Sequence, residues 1–174
     1  MKIVLINCLV YNLLCVTSLM MLILKNPRYM IQDYPKEITK DVEGKTSKEK
    51  KEALLYGLPF LLILALYPLC FGLYGKFIIH FNFWENWFAI FSLFFSFNLI
   101  DLLILDWLVF CFITPKFMII PGTEGNPGYK NYWFHFIGFL KGCGFLLIGS
   151  IIFNSIIELI WLLVKWKIFY HYTK

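Results

Sequence analysis

The hydrophobic positions of this chain fall into four long blocks that are separated by polar segments. The first block, residues 3–24, contains no charged residue. At about 1.5 Å per residue, a helix of this length crosses the ~30 Å hydrocarbon layer of a bilayer. The same pattern predicts further spans at about 54–74, 87–113 and 143–164. We therefore expect an all-α polytopic integral membrane protein, with four transmembrane helices in one bundle and a single domain over residues 1–174.

The second block is interrupted by Pro59 and Pro68. Proline removes a backbone donor and clashes with the preceding turn, so the helix is expected to be kinked or broken there. Ahead of the block, Thr46 and Glu49 have the spacing of a capping box. This spacing predicts that a helix begins near Ser47 and leads into the second span.

Composition supports the membrane assignment. Hydrophobic residues make up 60% of the chain and charged residues 16%, whereas an average soluble domain has about 25% charged residues. A soluble or disordered protein is therefore excluded. The net charge of +5 does not indicate a nucleic-acid partner, because nucleic-acid binding needs a solvent-facing basic surface. Membrane lipids are the expected partners.

Basic residues are distributed unevenly between the two sides of the predicted membrane. Eleven of the 16 lysines and arginines lie in the connections 25–53 and 115–132 or at Lys141. The other five, including Lys174, fall on the opposite side. By the positive-inside rule these two connections are cytoplasmic, and both termini of this cell-membrane protein lie outside.

The cysteines and histidines do not form a recognisable metal or redox motif. Five cysteines lie in or beside the predicted spans without a Cys-x-x-Cys pair, which favours a role as small apolar packing residues. The histidines, at positions 80, 135 and 171, lack the spacing of metal ligands. No metal or other cofactor is expected.

The third span carries two acidic residues, Asp101 and Asp106. An ionisable side chain at the centre of a membrane helix costs roughly 2.5 to 3.5 kcal/mol, so it calls for an explanation. Residues five apart in an α-helix diverge by about 140°. The two acids are therefore expected to flank an inward-facing sector without sharing one narrow seam. A structural ion pair at Asp101 and an interfacial charge at Asp106 are the alternatives to a functional role.

Chain order brings further polar residues near these acids, because residues 115–132 join the third span to the fourth. The candidates for acid–base catalysis are Asp101, Asp106 and His135. The lysines nearby are positioned to hold an anionic head group of a substrate. The candidates for substrate binding are Lys116, Glu124 and Lys141.

The fourth block has two further features. Gly138, Gly142 and Gly149 are small residues at spacings that let another helix approach closely, either within the bundle or from a second copy. Beyond them lies Glu158, an intramembrane carboxylate. Together with Asp101 it forms a candidate pair of proton-titrating groups at two depths.

Three classes of function remain open. The first is a binding, transport-accessory or protective membrane component, acting alone, as a homo-oligomer or with a membrane partner protein. The second is a membrane-embedded enzyme that acts on a lipid-like substrate at the cytoplasmic interface. The third is a subunit of a proton-linked transporter or channel. Convergence of Asp101, Asp106 and His135 on a closed pocket favours the enzyme, whereas a passage from Asp101 to Glu158 favours transport.

Overall fold

The computed structural model describes residues 1–172, with side chains as far as residue 168, so the side chains of His171 and Lys174 lie outside the described part. Within it the chain forms four long helices and no strand, which confirms the expected all-α four-helix bundle. Each helix is long and apolar enough to cross a membrane, as in a multi-pass membrane protein. The helices are α1 Lys2–Lys25, α2 Ser47–Tyr74, α3 Phe83–Ile100 and α4 Tyr132–Tyr172.

Helix α2 begins where the capping box predicts. The Thr46 side chain accepts a hydrogen bond from the Glu49 amide, and the Glu49 carboxylate accepts one from the Thr46 amide. The helix then runs without a break through Pro59 and Pro68. The helix is therefore not broken at either proline, because neighbouring helices can accommodate a proline in a membrane helix, and a kink there stays a prediction. Pro68 itself is fully buried in the bundle.

Helix α3 continues directly into a π-helix over Asp101–Ile113, which ends at Thr114 in the left-handed conformation with φ of 50°. Hydrogen bonds in a π-helix join residues five apart, and π-helices are mostly single turns within α-helices, often at functional sites. Residues five apart therefore lie on successive turns of the same face. The angle of about 140° expected between the Asp101 and Asp106 side chains assumes an α-helix. Because this segment is a π-helix, that expectation is wrong. Both side chains line one cavity.

Burial divides the bundle into central and peripheral helices. One third (33%) of the most apolar segment is buried in α1 and in α3, against 17% in α2 and α4. The centre is made by fully buried residues such as Tyr11, Leu93 and Ile157. Large apolar side chains such as Leu13 and Phe145 are exposed on the outer faces, where a lipid environment would cover them.

The α1–α2 and α3–α4 connections pack against each other at one end of the bundle, and we call this the loop end, residues 26–46 and 114–131. The hydroxyl of Tyr34 donates a buried hydrogen bond of 2.9 Å to the carbonyl of Met118. The Asn126 amide donates one of 2.8 Å to the carbonyl of Glu37. These two hydrogen bonds link the α1–α2 connection to the α3–α4 connection at the loop end.

Candidate functional site

A cavity of about 380 Å³ lies at the loop end. All four helices and both connections contribute to its wall. Within the described residues, the side chains that line it include no lysine and no arginine. The polar side chains in the wall are Gln32, Asp33, Tyr34, Asn98, Asp101, Asp106 and His135.

The closest polar contact in this wall joins α3 and α4. Nδ1 of His135, near the start of α4, lies 3.0 Å from Oδ1 of Asp106 in the π-helical segment. Only 5% of the His135 side chain and 28% of the Asp106 side chain are exposed. In a neutral imidazole whose Nδ1 faces a carboxylate, the hydrogen is placed on Nδ1 and the lone pair is left on Nε2. Nε2 is buried and has no hydrogen-bond partner in the described part of the chain.

Asp101 lies one π-helical turn before Asp106 and lines the same cavity. Its carboxylate makes no hydrogen bond or ion pair with any described residue. The neighbouring Asn98 is differently placed, because its amide donates a hydrogen bond of 3.1 Å to the carbonyl of Phe139. Asn98 therefore links α3 to α4 by a hydrogen bond. Asp101 lines the cavity and has no hydrogen-bond or ion-pair partner among the described residues.

A third carboxylate, Asp33, was not among the residues expected from the sequence. It ends the 3₁₀-helix Pro27–Asp33 in the first connection and accepts a hydrogen bond of 2.9 Å from the Gln32 side chain. Asp33 is exposed by its accessible surface, and partial desolvation by the surrounding atoms raises the pKa of its carboxyl above its ordinary value, with the Gln32 bond and the charge of Lys45 opposing this shift. An acid within a charge-rich connection carries no sequence signal that separates it from an ordinary solvated residue.

The three residues expected to bind substrate do not line the cavity. Lys116, Glu124 and Lys141 are exposed. Lys141 follows His135 by six residues, so it lies about 120° around the helix from it. Glu124 accepts a hydrogen bond of 3.3 Å from the backbone of Gly122 in an exposed turn.

Glu158 lies far from Asp101. It follows His135 on α4 by about 23 residues, which corresponds to ~35 Å along the helix. There its carboxylate is 2.5 Å from the ammonium group of Lys76, and the two side chains are 18% and 11% exposed. The same ammonium lies 4.6 Å from the ring centre of Trp161. The proposed partner of Asp101 in proton transfer is thus held in a separate ion pair.

The three glycines of α4 have different surroundings. A Cβ atom added at Gly142 would lie 2.6 Å from Oδ1 of Asn98, so α3 approaches α4 closely at this point. A Cβ added at Gly138 or Gly149 would meet nothing within 4 Å. Gly138 instead lines the cavity. Close helix packing within the bundle is therefore observed at Gly142, and contact of this face with a second copy stays a prediction.

The fold and the cavity together define a multi-span helical architecture with a polar site at one end. In the described part of the chain, no group of three or more His, Cys, Asp or Glu residues is arranged to hold a metal ion. Searches of protein-family models, of curated proteins and of solved structures gave no match to the chain. The residues of the cavity are therefore the features of the chain that bear on its function.

Proposed function

We propose that this protein is a membrane-embedded enzyme that carries out acid–base chemistry on a lipid-like substrate at the cytoplasmic interface. One observation carries the proposal: Asp101, Asp106 and His135 line a single cavity, and Asp106 is within hydrogen-bonding distance of His135. A positioned histidine whose ring is oriented by a carboxylate is a recurrent arrangement for proton transfer in enzymes.

The two members of this pair have complementary roles. Nε2 of His135 takes the proton from an O–H or N–H group of the bound substrate or of water. The Asp106 carboxylate orients the ring through Nδ1 and stabilises the imidazolium that forms. The proton then returns from Nε2 to the group that leaves, so the pair ends in its original state. Asp101 is the second acid or base available to the reacting groups.

The shape of the cavity supports an amphiphilic substrate. Leu19 and Ile23 of α1, Phe60 of α2 and Phe97 of α3 form an apolar part of the wall. Asp33 and Gln32 contribute polar groups from the first connection. A volume of about 380 Å³ lies within the usual range of small-molecule sites, roughly 300 to 1,000 Å³. It accommodates a head group and the beginning of an apolar chain.

The transport class has no comparable observation in its favour, and the binding class shares the cavity with the enzyme. Proton-linked transport through Asp101 and Glu158 requires a route between them, and Glu158 is paired with Lys76 outside the cavity. A binding or accessory protein would use the same cavity without converting its ligand. Turnover therefore separates the enzyme from the binding protein.

The test measures lipid conversion by purified protein in vesicles of mixed lipids. The lipids are followed by mass spectrometry for the wild type and for the Asp101→Asn and His135→Ala variants. Asp41→Asn, which neutralises an exposed carboxylate, is the matched control. We expect conversion by the wild type and the control, and a loss of roughly 10² or more in rate for His135→Ala. Absence of any conversion, or equal conversion by all four proteins, would refute the proposal.

A further inference from the structure

The cavity wall is rich in carboxyl groups. Asp33, Asp101 and Asp106 contribute three carboxylates to its wall, whereas the described lining residues include no lysine or arginine. Asp101 and Asp106 are half-buried, whereas Asp33 is exposed. Ionised groups removed from water are normally paired, because leaving them unpaired is costly. His135 interacts with one of the three, Asp106. The described part of the wall therefore contains no cationic side chain to match Asp101, and the charge of Lys45 acts on Asp33 from outside the wall.

The cations near the cavity are committed to other groups. The Lys130 ammonium donates hydrogen bonds to the carbonyl of Cys111 and to the hydroxyl of Thr114, at 2.6 and 2.8 Å. The Lys45 ammonium donates to the backbone carbonyl of Tyr29 and to the side-chain oxygen of Gln32, at 2.8 and 2.6 Å. These lysines support the connections. The anionic head group expected from the sequence would thus meet carboxylates in place of lysines.

Two hydrogen-bond acceptors of the wall also lack donors. Nε2 of His135 is buried in a residue that is 6% exposed and has no partner in the described part of the chain. The Asp101 carboxylate has no hydrogen bond or ion pair with the described residues. A ligand with N–H donors and a positive charge can donate a hydrogen bond to Nε2 of His135 and can pair with the carboxylate of Asp101. A quaternary ammonium brings only the charge, because it has no N–H group.

Aromatic rings complete the recognition site. A cation near the face of an aromatic ring is attracted by the negative potential of that face. The rings also provide an apolar surface for the carbon atoms next to the charged nitrogen. The aromatic side chains of the wall, besides that of the histidine, are Tyr34, Phe60, Phe97, Phe110, Phe134 and Phe139.

We propose that the cavity recognises a protonated amine carried on an apolar chain, with Asp33 and Asp101 as the anionic contacts of the ammonium group. This inference rests on the cavity of the proposed function and names the chemical class of its ligand. The apolar chain occupies the part of the wall formed by Leu19, Ile23 and Phe60.

Binding of tritiated dodecylamine to the full-length protein in a maltoside detergent tests this proposal at neutral pH. Unlabelled competitors of the same chain length vary only the head group: dodecylamine, dodecyltrimethylammonium and dodecanoate. We expect saturable binding that dodecylamine displaces best, dodecyltrimethylammonium less well and dodecanoate least. Ethylamine, which lacks the chain, is expected to compete only weakly. If dodecanoate displaces the label as effectively as dodecylamine, the proposed positive charge of the ligand is wrong. If ethylamine competes as well as dodecylamine, the proposed apolar chain of the ligand is wrong.

Variants identify the residues that hold the amine. Asp33→Asn and Asp101→Asn are each expected to raise the Kd by about tenfold or more, because each removes one charge-assisted contact. Asp41→Asn serves as the exposed control and is expected to bind like the wild type. Asp33 lies outside the long helices, so its variant carries the test if Asp101→Asn does not fold. Wild-type affinity in the folded Asp33 and Asp101 variants would contradict the proposal.

These results are independent of turnover. Amine binding without any lipid conversion would refute the proposed enzymatic activity and would support the amine as the class of ligand. If the protein converts a lipid that has no amine and does not bind dodecylamine, the proposed ligand class is wrong and the proposed enzymatic activity is supported.

Discussion

The imidazole of His135 and the carboxylate of Asp106 lie 3.0 Å apart across the contact between two membrane helices. The contact depends on the π-helical segment Asp101–Ile113, which places Asp101 and Asp106 on successive turns of one face. It also depends on the second connection, which leads into α4 three residues before His135. The contact between Asp106 and His135 therefore brings a residue of the π-helical segment next to the proposed proton acceptor.

If the pair acts in catalysis, Asp106→Asn reduces turnover more than it reduces binding. Asparagine keeps the size of the side chain and removes the charge that stabilises the imidazolium. We expect kcat to fall by roughly 10² or more with little change in KM. Initial rates measured over a range of substrate concentrations in vesicles check this expectation. A rise in KM at unchanged kcat would show that Asp106 contributes only to binding.

Gly142 and Gly149 provide a matched test of the α3–α4 contact. Gly142→Ala places a methyl group 2.6 Å from Oδ1 of Asn98, so either the helices separate or Asn98 gives up its bond to Phe139. Such overpacking costs about 1 to 3 kcal/mol. Gly149→Ala meets nothing within 4 Å and has the higher helix propensity of alanine, worth about 1 kcal/mol. Thermal unfolding in detergent is expected to give a lower Tm for Gly142→Ala and an unchanged or higher Tm for Gly149→Ala. Equal shifts would argue against a close contact.

Neutralising Glu158 is expected to destabilise the bundle without affecting the site. Glu158→Gln leaves the Lys76 ammonium, which is 11% exposed, without its anionic partner. Breaking a buried pair in this way costs about 3 to 5 kcal/mol, whereas replacing both members by apolar residues is often tolerated. We expect a lower Tm for Glu158→Gln, recovery in the double variant Lys76→Met with Glu158→Leu, and unchanged dodecylamine affinity in both. Loss of amine binding on neutralisation of Glu158 would contradict the separation of the two groups.

The raised pKa of Asp33 predicts a pH-dependent effect on stability. A carboxyl group whose pKa is higher in the folded state binds protons more readily there, so its contribution to stability is present at low pH and is lost as pH rises through its folded pKa. Asp33→Asn removes this dependence. Relative to the wild type, the variant is expected to gain stability as the pH rises from acid to neutral. Thermal unfolding of both proteins at several pH values measures the difference, and a constant difference would exclude the shift.

The membrane architecture could be predicted because the signals for it are local. Long apolar blocks define helices that cross a bilayer whatever their neighbours are, and the Thr46 capping box depends on residues three apart. Asp101, Asp106 and His135 could be singled out for a related reason, since polar groups in or next to a membrane span are costly wherever they lie. The separation of Asp101 from Glu158 could not be predicted, because it depends on the pairing of Glu158 with Lys76, which follows the end of α2.

By itself, the sequence determined that the chain forms four apolar helices, where α2 begins, and which polar residues have to be accommodated near the membrane, since each of these follows from the solvation and spacing of neighbouring residues. Only the tertiary structure decided that the third helix continues in π-helical geometry, that Asp33 joins the cavity, and that Lys116 and Lys141 remain outside it. Those outcomes arise from hydrogen bonds and packing between segments that are distant in the chain. The set of ionisable groups that lines the cavity is therefore a property of the folded protein.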